Sequence, residues 1–129
     1  MITCMIAFVK LGRDNVGNDP RKYYCSKCGA LVATSAELAK LNGADQHSFI
    51  NPAGILCNFM TFSHCENVVV HEDLFFEHSW FVGYGWRFLL CCTCFQHLGW
   101  KYDALRSTMS PESFFGVLVN VVETCPAGE

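Results

Sequence analysis

Short apolar runs rich in Val, Leu and Phe, interrupted every few residues by Gly, Pro, Asn or Ser, fill most of the chain beyond residue 20. Runs of that length and composition suit strands rather than helices. Five are read as strands: Ile55–Phe62, Asn67–Val70, Asp73–Phe76, Phe81–Leu90 and Phe114–Val122. Ahead of the first, Asn51-Pro52-Ala53-Gly54 has the chemistry of a turn, since Pro presets φ and Gly tolerates positive φ. Thr34–Leu41 alone has helical character: Thr34 and Glu37 are spaced as a capping box, and Asn42-Gly43 ends the segment. The pattern predicts a mainly β fold with one short helix.

Turn-forming residues cluster between Lys10 and Pro20 and read as a loop. The domain is therefore placed at 21–124, with 1–20 a flexible lead-in or targeting remnant and 125–129 a frayed tail. The apolar opening Met1–Val9 looks like a signal h-region. It lacks a positive n-region, however, and is followed by Lys10 and Arg13 instead of a small-residue cleavage site.

Composition sharpens this picture. With 129 residues, 51% hydrophobic and 16% charged, the chain suffices for one buried core and does not have the make-up of a disordered segment. No run approaches the ~20 apolar residues of a membrane-spanning helix, so no membrane partner is expected. The formal charge of −3 offers no broad basic footprint for nucleic acid. Nine cysteines, an odd number, argue against a pure disulfide framework and for reduced thiols in cytosol or nucleus, with secretion the other possibility.

Four of those cysteines are spaced to hold a metal. Cys25-Ser26-Lys27-Cys28 and Cys91-Cys92-Thr93-Cys94 each form a Cys-x-x-Cys pair, and two such pairs match a tetrahedral thiolate site for one structural Zn2+. Gly29 follows the first pair and permits the tight backbone of a metal knuckle. Between Cys28 and Cys91 lie 62 residues, far more than in a zinc ribbon, so the ion would join distant hairpins and pin a whole domain. Four thiolates leave no open position for catalysis. Four thiolates and one dication also make the protein more acidic by two charges, which further disfavours phosphate partners. Cys92 is expected to turn into the core, and His64, His71 and His97 are read as ordinary surface or core residues.

The tryptophans are also clustered. Trp80, Trp86 and Trp100 fall within twenty-one residues, and the second Cys pair divides the third from the others. The metal turn is thus expected to set the strand of Trp86 beside that of Trp100. Three indoles could simply fill a core. Their N–H groups need partners when buried, and Gly83, Gly85 and Gly99 beside them are expected to leave open space, which favours a pocket mouth. Such a box suits either a methyl-ammonium cation, with Glu77 or Asp103 nearby, or a flat neutral group held by the His78–Trp80 backbone.

The order Cys-x-x-Cys-Gly, Asn-Pro-x-Gly, His-Ser-Trp-Phe-x-Gly-Tyr-x-Trp, Cys-x-x-Cys, His-Leu-Gly-Trp-x-Tyr and Phe-Phe-Gly resembles the cereblon-like thalidomide-binding (CULT) domain family, from about Tyr24 to Val122. The resemblance implies a β-tent of two antiparallel sheets pinned by one zinc on Cys25, Cys28, Cys91 and Cys94. It implies a non-enzymatic binding module for cyclic imides such as glutarimides and thalidomide-type compounds, for uracil-like ligands, and for cyclic imides at the C-termini of damaged proteins. The cage would consist of Trp80, Trp86 and Trp100, closed by Tyr102. His78 and Trp80 would offer backbone hydrogen bonds, Ser79 would lie on the same edge, and Asn51 and Pro52 would border the exit. The chain has no room for the Lon-like domain and helical segment that connect the family's namesake to a ubiquitin ligase, so ligase-adaptor contact is not expected. An alternative is a redox enzyme like the B-type methionine-sulfoxide reductases, with Cys57 as the thiol near the rim.

Overall fold

A computed structural model describes residues 19–125. The signal-like opening, most of the loop 10–20, Cys4 and residues 126–129 lie outside the described residues. The described residues form nine strands: β1 (Lys22–Cys25), β2 (Leu31–Thr34), β3 (Gln46–Ile50), β4 (Leu56–Phe62), β5 (Val68–Val70), β6 (Tyr84–Cys91), β7 (His97–Ala104), β8 (Ser113–Leu118) and β9 (Val122–Glu123). They make two antiparallel sheets, one of three strands in the order β2-β1-β9 and one of six in the order β3-β4-β8-β7-β6-β5. None of the described helical segments is long and apolar enough to cross a membrane.

The mainly β class is as the pattern predicts, but several boundaries differ for identifiable reasons. The helix expected at Thr34–Leu41 is only a 3-10 turn at Ser35–Glu37, and Thr34 makes no side-chain cap. The chain beyond it bonds outward instead. Leu38 bridges Phe62, the Ala39 amide donates to the Thr61 carbonyl, and Glu37 accepts from the Ser63 hydroxyl. A segment this short gains more from pairing with β4 than from a marginal helix. Asp73–Phe76 is not a strand; only Phe75 forms a bridge, with Trp86. The single strand expected over 114–122 is broken by a 3-10 turn at Val119–Val121, which carries the chain from β8 in the large sheet to β9 in the small one.

Two apolar clusters hold the sheets. Val32, Phe62, Leu89, Leu98 and Val117 are fully buried around the cysteine knuckles, at the junction of both sheets. Phe59, Phe81, Tyr84, Tyr102 and Phe114 form a second, aromatic cluster under the tryptophans. As the metal turn implies, β6 and β7 pair, with Trp86 opposite Tyr102 and Phe88 opposite Trp100.

That pairing contains one irregularity. Leu89 faces Gly99 and Leu90 faces His97, so Leu98 is an extra residue on β7, a β-bulge. Gly99 makes this possible with φ +152°, and it lies so close to β8 that an added Cβ would come within 1.9 Å of the Gly116 carbonyl oxygen. The glycines near the tryptophans therefore allow close approach rather than leaving open space, as the sequence had suggested. Gly83 abuts Met109, and Gly85 abuts Leu74 and the Phe75 carbonyl. Gly99→Ala is expected to cost about 3 kcal/mol or more, because rigid backbone and not a flexible side chain would have to move. A thermal melt of the purified variant checks this; an unchanged transition would contradict the close packing of β7 on β8.

Candidate metal centre and ligand cavity

The two Cys-x-x-Cys loops share one backbone design. In the first, the Gly29 amide donates to the Cys25 carbonyl (2.8 Å) and the Cys25 amide to the Ala30 carbonyl (2.8 Å). In the second, the Phe95 amide donates to Cys91 (2.9 Å) and the Cys91 amide to Gln96 (2.9 Å). Each knuckle needs a left-handed residue after its second cysteine: Gly29 has φ +83°, but Phe95 takes φ +61° with a side chain that stays mostly exposed. Phe95→Gly should therefore stabilise the fold by about 1 kcal/mol by relieving that conformation, measured as a rise in denaturation midpoint.

The knuckles converge from β1 and β6, although Cys28 and Cys91 are far apart in sequence. All four sulfurs lie within 4.8 Å of one another. Cys25 Sγ is 3.6 Å from Cys94 Sγ, and Cys28 Sγ is 3.5 Å from Cys91 Sγ. A tetrahedron with Zn–S bonds of about 2.3 Å has edges of about 3.8 Å, so the donor set fits one zinc ion. Burial works to raise the Cys25 thiol, but the amides of Cys28 and Lys27 and the neighbouring sulfurs outweigh it and hold Cys25 below its ordinary value. Burial pushes Cys28 up to about 12 and raises Cys94 as well. Sulfurs this crowded ionise together only around a cation. Gln96 Nε2 donates to Cys25 Sγ (3.2 Å) and to the Val121 carbonyl, while the Ser26 amide also binds Val121. The metal loops are thus tied to the point where the chain changes sheets.

The remaining thiols are placed differently from one another. Cys92 is exposed, not turned into the core as expected, because Cys91 already faces inward and the next residue of the knuckle faces outward. No disulfide joins the described cysteines. Cys65 is packed in the apolar cluster and raised to about 12 by burial. Cys57 is buried and its thiol raised by that burial, opposite to the exposed, low-pKa thiol that a sulfoxide reductase needs. Nothing at Cys57 resembles a redox nucleophile.

A cavity of about 330 Å³ opens beside the large sheet, lined by Asn51, Pro52, His78, Trp80, Trp86 and Trp100, with Phe88, His97 and Tyr102 completing it. Eight residues were singled out from sequence, and seven of them meet there. Ser79 does not line the cavity. Its hydroxyl accepts from the Phe81 amide and donates to the Phe81 carbonyl, which fixes the loop instead. Phe88 and His97 were missed. Phe88 was accessible to period-two reasoning from Trp86, whereas His97 was not, because the bulge at Leu98 brings it onto the face of Trp100.

The walls are held from behind. Trp80 stacks on Phe49 (5.1 Å, 10°) and Phe59 (5.6 Å, 19°), and stands edge-to-face with Trp100 (5.3 Å, 85°). Trp86 stacks on Phe75 (4.7 Å, 28°), and its indole N–H donates to the Glu77 carbonyl (2.8 Å). Tyr102 forms the floor at 2% exposure, stacked on Phe114, and burial raises its phenol. Asn51 Oδ1 accepts from the amides of Ala53 and Ile55, closing the rim turn.

Polar groups at the cavity are few. His78 has φ +59°, and among the described residues no backbone hydrogen bond involves His78 or Trp80. Both residues line the cavity, and their backbone amides and carbonyls are left without a protein partner among the described residues. Among the described residues no carboxylate lines the cavity: burial works to raise the Asp103 carboxyl, but Lys101 (2.7 Å) and Arg87 (2.9 Å) engage it and hold it below the usual range.

Residues 22–128 match the family described as Yippee zinc-binding/DNA-binding /Mis18, centromere assembly. The chain belongs to this zinc-binding family. Within it the chain is cereblon-like. It is 34% identical to protein cereblon of Danio rerio over 108 residues, covering 81% of this chain and 25% of that protein. It is 32% identical to protein cereblon of Gallus gallus over 95 residues, covering 72% and 21%. Protein cereblon of Drosophila pseudoobscura pseudoobscura is 30% identical over 112 residues, covering 83% and 18%. The chain thus spans a quarter or less of the length of these relatives. It is a zinc-binding domain of this family, with a four-cysteine site that fits one ion.

Zinc should be inseparable from folding here, as the knuckles are the meeting point of both sheets. Cys28→Ser, or a strong chelator on the wild type, is expected to abolish the cooperative thermal transition. Retention of the original melting temperature with metal removed, measured by atomic absorption alongside circular dichroism, would contradict the structural role.

Proposed function

We propose that the aromatic cavity binds a flat cyclic imide, or a related ring such as uracil, free or at the end of a peptide. The observation that carries this reading is the pairing of aromatic walls with the unspent His78–Trp80 backbone edge. An imide presents apolar faces and edges to Trp80, Trp86 and Trp100, and an N–H between two carbonyls to that edge. Each hydrogen bond so formed adds about 1 kcal/mol net, whereas a polar group buried without a partner costs about 1–3 kcal/mol. Recognition therefore follows from shape and one polar edge, with Asn51 and Pro52 at the rim and Tyr102 as floor. The resemblance of this chain to cereblon over its matched residues supports the same assignment.

A methyl-ammonium ligand fits less well, because among the described residues no carboxylate lines the cavity to balance the cation. DNA, which the family description includes, is disfavoured by a formal charge of −3 that the four thiolates and their ion make more negative. A site built from four thiolates favours a reducing compartment, cytosol or nucleus, over secretion.

Titration with glutarimide, uracil and trimethyl-lysine, read by intrinsic tryptophan fluorescence, tests the proposal. Glutarimide and uracil should shift the emission saturably, and trimethyl-lysine should not. Trp100→Ala or Trp86→Ala should weaken imide binding at least about tenfold, about 1.4 kcal/mol, in a protein that still melts cooperatively. Flat emission at millimolar glutarimide would overturn the reading.

A further inference from the structure

We propose that His97 selects among the ring ligands of this cavity by accepting a hydrogen bond, at Nδ1, from an amide N–H carried on the ring as a substituent. This rests on the ring-binding reading above and adds a second recognition point to it. His97 Nε2 lies 2.9 Å from the Gly99 carbonyl oxygen. A carbonyl only accepts, so Nε2 carries the proton and Nδ1 of the neutral ring is left as an acceptor. No other hydrogen bond engages His97 among the described residues, yet no fully buried polar side-chain atom there lacks a partner. Nδ1 is therefore accessible, and the ring it belongs to borders the cavity.

The position of that acceptor suits a substituent better than the imide itself. Trp100 meets Trp80 (5.3 Å, 85°) and His97 (5.5 Å, 82°), both edge-to-face. His97 and Trp80 both contact Trp100, and no ring contact joins the two among the described residues, so His97 is a recognition point separate from the His78–Trp80 backbone. Phe88 meets the imidazole from a second direction (5.4 Å, 72°), so the ring is gripped by two aromatics as well as by its bond to Gly99. A cavity of about 330 Å³ also holds roughly ten water-sized volumes, room for a ring and a further group. Asn51 Oδ1 already accepts from two rim amides, and apart from Pro52 and His78 the remaining walls are aromatic. A donor on that further group finds its partner at His97, and a ligand without the donor forgoes the bond.

The test compares two probes of nearly equal shape, 3-acetamidoglutarimide and the same compound methylated on its acetamide nitrogen, with glutarimide as a reference. In the wild type the acetamide should bind at least about fivefold tighter than its N-methyl counterpart, the worth of one net hydrogen bond. In His97→Phe, which keeps an aromatic ring in the wall, that ratio should fall to about one. A ratio preserved in His97→Phe would assign the discrimination to shape alone and overturn the proposal, as would equal affinities in the wild type. Failure of glutarimide itself to bind the wild type would overturn the ring-binding reading and this inference with it. Binding of glutarimide without discrimination would remove only the role of His97. If His97→Phe does not fold, the nitrogen-15 resonance of His97 Nδ1 in the wild type gives the same information: it should move with the acetamide and stay unmoved with its N-methyl form, and the reverse would reject the inference.

Discussion

The meeting of four sulfurs governs this structure. Cys25 ends β1 in the small sheet and Cys28 lies in the turn after it, while Cys91 ends β6 in the large sheet and Cys94 lies in the turn to β7. One ion on these sulfurs closes a loop of more than sixty residues, whose closure would otherwise oppose folding entropically. Gln96 and Ser26 extend the junction to Val121, where the chain itself passes from one sheet to the other. Metal, side chain and backbone therefore connect the sheets at one place.

The cavity depends on this junction. The second knuckle is also the β6–β7 turn, so it sets Phe88 opposite Trp100 and Trp86 opposite Tyr102. Beneath them, Phe59, Phe81 and Phe114 pack at offset or perpendicular angles that favour ring quadrupoles and hold the walls in one arrangement. The opening persists because its tryptophans are supported from behind rather than by each other alone. Trp80 rests on Phe49 and Phe59, and Trp86 on Phe75. These contacts answer the concern that three indoles merely fill a core: they pack on one side and border open volume on the other.

Much of the chemistry was legible along the chain, since it resides in residue types at short spacing. Two Cys-x-x-Cys pairs, three tryptophans and the Asn51–Gly54 turn state their requirements locally, and each is found in the role its chemistry allows. Ser79, which the resemblance put on the same edge as His78 and Trp80, instead spends its hydroxyl on the Phe81 backbone. The helix expected at Thr34–Leu41 was lost to pairing with β4, a gain that propensity over eight residues cannot register.

The sequence by itself determined the donor set for zinc, the aromatic content of the cavity and the mainly β class, because these follow from side-chain chemistry and apolar period. Tertiary structure alone decided which face His97 occupies, what Gly99 is for and where the chain changes sheets. All three depend on register between strands distant in sequence. A single extra residue at Leu98 shifts the phase of β7, and it is tolerated only because Gly99 has no Cβ to meet the carbonyl of Gly116.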